Sequence, residues 1–148
     1  MTMLGGLLWA VTLPACSTTP TSPSFTTTTT TTTSTTGTSS PTDTFNGTLS
    51  AGGANIHTFH ALPGVVTTTL ASVDPSGFTA PIGLGVGTWD GNSCTVVILN
   101  ANATVGMTLI GTATTAIDLC VKVYDVGNLA TDLTLNYQVT VVHPGNQS

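Results

Sequence analysis

From Thr44 onward the chain alternates apolar and polar residues in short runs separated by turn signals, and no stretch carries the three-to-four spacing of a helical stripe. The first run, "TFNGTLS", ends at "AGGAN", where Gly52-Gly53 reads as a hairpin turn. In "IHTFHA", His57, Phe59 and Ala61 fall on one side and Ile56, Thr58 and His60 on the other. Then come "VVTTTLAS", "IGLGVGTW", "CTVVIL" and a weaker run around "MTLIGTA". The two clearest runs are the last, "IDLCVKVYDV" and "LTLNYQVTVV". Leu119, Val121 and Val123 share one face, as do Leu133, Leu135, Tyr137, Val139 and Val141, and these two faces are expected to form the centre of the core. About eight strands, each with one apolar face to bury, predict an all-β, two-sheet antiparallel sandwich of jelly-roll-like or Ig-like form, with a closed barrel as the alternative.

The first 43 residues break this pattern. Met3 to Leu13 is an apolar run too short to span a bilayer and suited to the core of an export signal. It leads into "LPAC", which resembles the bacterial lipobox and makes Cys16 the expected site of lipidation and membrane attachment. An ordinary secretory leader cut nearby is the other reading. Residues 17–43 are rich in Thr and Ser with scattered Pro, have no apolar periodicity, and are expected to form a disordered stalk. The expected organisation is therefore a signal segment over 1–16, a linker over 17–43, a folded domain over 44–144 and a tail over 145–148.

Composition narrows the function. Lys122 is the one basic residue, six aspartates make up all the acids, and the formal net charge is −5 over 148 residues, a balance that repels phosphate backbones and excludes a nucleic-acid partner. Charged residues are 5% of the chain, so solubility rests on Thr, Ser, Asn and Gly, as in an exported β protein. In an oxidising compartment Cys94 and Cys120, each within a strand, are expected to pair, while Cys16 lies outside the folded part.

Few residues carry chemistry. Gly83, Gly85 and Gly87 alternate along one strand, which lets a backbone or a bulky side chain pack against them; the spacing is not that of a phosphate-binding loop. His57 and His60 face opposite sides of their strand and cannot chelate one ion, with His57 expected at the core or its boundary and His60 exposed. No nucleophile elbow, zinc-protease helix or spaced carboxylate pair is present, so no enzyme and no cofactor are expected. If the strands of Cys94 and Cys120 are antiparallel neighbours, "WDGN" and "YDVGN" share one end of the sandwich. Asp90, Asn92, Asp125 and Asn128 would then offer oxygen ligands for calcium, and Trp89 and Tyr124 a platform for a sugar or peptide. The same Asp, Asn and Gly residues are also what tight turns require.

The succession "FNGTLSAGGANIHTFHALPGVVTTTLASV", "GLGVGTWDGNSCTVV", "CVKVYDVGNL" and "YQVTVVHP" resembles the bacterial pre-peptidase C-terminal (PPC) domain over nearly all of Thr44 to Pro144. That resemblance implies a β-sandwich of the kind appended to secreted peptidases, some of which bind calcium or extracellular polymers. Together these readings describe a non-catalytic, surface-anchored or secreted envelope protein that works as an interaction module. A calcium-dependent or polysaccharide-binding module is the alternative, with an extracellular polysaccharide or protein as partner.

Overall fold

In a computed structural model, residues 25–26 and 40–145 are described, and they form an all-β sandwich without helices. A two-residue strand, β1 (Phe25–Thr26), precedes eight longer ones: β2 (Thr42–Ser50), β3 (Ala54–Ala61), β4 (Gly64–Asp74), β5 (Ile82–Trp89), β6 (Cys94–Ala103), β7 (Thr108–Ala113), β8 (Ile117–Tyr124) and β9 (Thr134–Val142). They build two antiparallel sheets. Sheet A has the order β1-β7-β4-β9-β2 and sheet B the order β3-β8-β5-β6. Apart from the β5–β6 hairpin, each of the strands β2 to β9 is followed by one in the opposite sheet, which is the wrapping of a jelly roll.

This wrapping changes one local expectation. The turn at Gly52, whose φ is +67°, joins β2 in sheet A to β3 in sheet B and does not close a hairpin. A tight turn fixes the reversal of the chain but not which edges then pair. β2 instead pairs along its whole length with β9, from Thr42 opposite Val142 to Ser50 opposite Thr134. β2 thus begins at Thr42, two residues before the expected start of the folded domain, and two residues of the Thr-rich stretch, Phe25 and Thr26, pair with Ala113 and Thr112 on the outer edge of β7. Cys16, the signal segment and linker residues 17–24 and 27–39 lie outside the described residues, as does the tail from 146.

The core forms where the alternation places it. Leu119, Val121 and Val123 of β8 face Leu135, Val139 and Val141 of β9 across the sandwich, all fully buried, with Leu49, Leu70, Ile82 and Leu84 around them. At roughly 1.5–3 kcal/mol for each such side chain, this layer is the main stabilising term. Thr68 interrupts it. The residue is fully buried on the inner face of β4, and its Oγ1 has no hydrogen-bond partner among the described residues. The open side between edge strands β2 and β3 is sealed by rings: Phe45 stacks on His57 with centroids 5.0 Å apart, and Phe59 lies 5.1 Å from His143.

The two ends of the sandwich differ. At the Thr42 end, His143 N–H donates to Pro41 O and Leu62 N–H donates to Pro144 O. At the Ser50 end, Asp125 N–H donates to Gly53 O, tying the loop after β8 to the turn after β2.

Candidate functional site

Strand order decides the fate of the loop pair predicted from sequence. β5 lies between β6 and β8 and is antiparallel to both, so β6 and β8 run parallel and are not hydrogen-bonded neighbours. Trp89 pairs with Cys94 at one end of β5, while Gly83 pairs with Tyr124 at the other. Six residues of extended chain separate these ends by roughly 20 Å. Asp90 and Asn92 therefore sit at the Thr42 end and Asp125 and Asn128 at the Ser50 end, and the structure does not bring the four together as one calcium site. Trp89 and Tyr124 are parted in the same way and do not form one platform.

The carboxylates in question are engaged in turns. Asp90 Oδ1 accepts from the backbone N–H of Asn92 at 2.8 Å and of Ser93 at 2.7 Å, and Oδ2 accepts from the Ser93 hydroxyl at 2.8 Å. Asp125 Oδ2 accepts from Gly52 N–H at 2.8 Å, and its Oδ1 accepts from the N–H groups of Gly127, Asn128 and Leu129 at 2.9, 3.0 and 3.2 Å. These donors favour the charged form and hold both carboxyls below their ordinary range, the Ser93 N–H contributing most at Asp90 and the Gly52 N–H at Asp125. Asn128 Nδ2 donates to Pro81 O at 3.0 Å. Among the described residues no group of three or more His, Cys, Asp or Glu is placed to hold a metal.

The disulfide between Cys94 and Cys120 is present, with Cα atoms 5.9 Å apart, although a strand intervenes. The glycine stripe explains how. The three glycines of β5 face outward and are buried: the Tyr124 ring covers Gly83, Val96 and Leu99 cover Gly85, and the backbone of Thr95 lies over Gly87. A Cβ on Gly87 would fall 2.0 Å from Thr95 O, so only glycine lets the start of β6 coil over β5 and carry Cys94 to Cys120.

Each sheet carries a concave site among the described residues. The first lies on the outer face of sheet A, which presents threonines in register: Thr44, Thr140, Thr69 and Thr108 form one row across β2, β9, β4 and β7. Toward the Ser50 end the face dips into a groove of about 460 Å³ whose outward side chains are Asn46, Thr48, Ser72, Asp74, Asn136 and Gln138. It opens where a bulge between Leu70 and Ser72 shifts the register of β4 against β9. Gln138 Nε2 donates to Asn46 Oδ1 at 3.1 Å, and Asp74 carries the only charge among the outward residues of this sheet that the structure describes.

The second site, of about 300 Å³, is at the Thr42 end of sheet B and is lined by Thr58, Phe59, His60, Trp89 and Asp118. His60 and Asp118 are cross-strand partners, with Nδ1 and Oδ1 2.8 Å apart. Further inside, His57 Nε2 is hydrogen-bonded to the Tyr137 hydroxyl at 2.8 Å. Burial pushes the His57 pKa down and the Tyr137 pKa up. His57 is half-buried and His60 exposed, as the alternation predicts. Sequence reasoning missed the groove and the His60–Asp118 pair, since both depend on which strands lie side by side; alternation marks the residues as outward-facing and nothing more.

No family model matches the chain, and no curated protein matches it. Among solved structures it is similar to the crystal structure of the Yersinia pseudotuberculosis-derived mitogen, at 15% identity and a TM-score of 0.53, covering 74% of this chain and 91% of that one. At that identity the likeness is one of fold.

Proposed function

We propose that this is an exported, non-catalytic interaction module that holds a neutral, hydroxyl-rich extracellular polymer, a polysaccharide, in the groove on the outer face of sheet A. The observation that carries this reading is the chemistry of the groove: five of its six outward side chains are amides or hydroxyls and one is a carboxylate. Amides present a donor and an acceptor side by side, which matches adjacent sugar hydroxyls, and uncharged polar groups give up their water at lower cost than charged ones. The volume suits one or two sugar units, and the open threonine row on the same face leaves room for the chain to continue.

Export is part of the proposal, resting on the apolar leader, the lipobox-like Cys16 and the disulfide, which persists in oxidising compartments. The resemblance to PPC domains, some of which bind extracellular polymers, points the same way. Affinity electrophoresis of the whole protein through soluble β-glucan, xylan and alginate tests the reading. Retardation is expected in a neutral gel, with the double variant Asn136→Ala, Gln138→Ala weakened about tenfold, equivalent to about 1.4 kcal/mol. Unretarded migration in every neutral polysaccharide, or an unchanged double variant, would overturn it.

A further inference from the structure

The pocket at the Thr42 end of sheet B differs in chemistry from the groove, and it is independent of it: it lies on the opposite sheet and at the opposite end. We propose that this pocket, formed around Trp89, Asp118, His60 and Thr58, is a docking site for a cationic side chain presented by a partner protein, with arginine preferred over lysine.

Three observations carry the assignment. The first is charge. The chain has six aspartates against one lysine, and that lysine is engaged elsewhere, its Nζ 5.5 Å from the centroid of the Tyr124 ring. Tyr124 belongs to the Ser50 end. In the pocket, the Asp118 side chain is 63% exposed and pairs with the exposed His60. An indole that lines the same pocket as an exposed carboxylate, Asp118, is an environment in which a cation gains from both the ring face and the charge.

The second is shape. About 300 Å³ fits one side-chain head group and its stem, not a polymer. A guanidinium is planar and forked, so it can lie along an indole while pairing two N–H groups with one carboxylate; a lysine ammonium does only one of these well.

The third is rigidity. Trp89 pairs with Cys94, the disulfide pins Cys94 to β8, and the Asp90 hydrogen bonds fix the turn between β5 and β6. Asp118 and Thr58 project from paired strands of the same sheet. Little ordering is left for a ligand to impose, so contact energy goes into affinity.

The test uses the full-length protein and follows the indole N–H resonance of Trp89, assigned by its loss in Trp89→Phe. The probe is N-acetyl-arginine methylamide, with the neutral citrulline analogue and methyl glucoside as controls. A saturable shift is expected with the arginine compound alone, weakening severalfold as salt rises from about 0.02 M to about 0.3 M. Asp118→Asn should weaken it at least tenfold. Asp132→Asn, which removes the same charge from the loop before β9, should leave it unchanged. No shift with arginine, an equal shift with citrulline or the glucoside, or equal weakening by Asp118→Asn and Asp132→Asn would each overturn the assignment.

Discussion

The outer faces of the two sheets follow the same two-residue alternation and end up in opposite states. In sheet B the outward positions of the inner strand β5 are glycines, and the neighbouring strands lean in to cover them with Tyr124, Val96, Leu99 and the backbone of Thr95. In sheet A the outward positions of the inner strands β4 and β9 include Thr67, Thr69, Gln138 and Thr140. Branched and amide side chains there hold neighbours off and leave a lattice of methyl, hydroxyl and amide groups facing solvent. What sits on the central strand thus decides whether a sheet closes over itself or stays open to another molecule. The concave site described on sheet B lies at its rim, where β5 ends at Trp89.

The disulfide should give the largest contrast. Replacing both Cys94 and Cys120 by Ala opens a link spanning 26 residues, with a loss of about 3.5 kcal/mol in the chain-entropy account, read from urea unfolding. Amide exchange should rise around Trp89 and the start of β6 while the rows of β4 and β9 keep their protection. Equal loosening of both sheets would show that the covering of sheet B has no local role.

A smaller effect of opposite sign is expected inside sheet A. Thr68→Val replaces a buried hydroxyl that has no partner among the described residues with a methyl of similar shape, and should raise stability by about 1 kcal/mol in the same unfolding measurement. A loss of stability would show that the hydroxyl is satisfied.

The smallest effect belongs to His57, between the sheets. Burial lowers its pKa in the folded protein, so the unfolded chain binds the proton more readily. Stability from this residue is complete above the ordinary histidine range and is lost as the pH falls through it toward the folded value. The fall in melting temperature between about pH 8 and about pH 5, on either side of that range, should therefore be shallower in His57→Gln than in the wild type. Parallel pH profiles would remove His57 as a source of acid sensitivity.

Residues whose meaning is local were legible in the sequence. The alternation in "LCVKV" and "LNYQVTV" marks the two facing strands of the core, and the glycine triplet of β5 announces close packing. The half-buried His57, the exposed His60 and the pairing of Cys94 with Cys120 were also readable. What was not legible depends on strand neighbours. Asn46 meets Gln138 across 92 positions and His60 meets Asp118 across 58, and alternation fixes only the face of a residue, never its lateral partner. The same gap made "WDGN" and "YDVGN" look adjacent. A single strand, β5, inserted between the two cysteine strands reverses that conclusion without altering any local pattern.

The pairing of β2 with β9 has a mechanical consequence. After the two-residue β1, the chain enters sheet A again at Thr42, and the proposed polymer groove lies toward the Ser50 end, so tension between an anchor and a captured polymer would run along β2. The nine paired positions from Thr42 to Ser50 have hydrogen bonds perpendicular to that line. They would be strained together in shear instead of being peeled one at a time, so β2 would bear a pull before it yields.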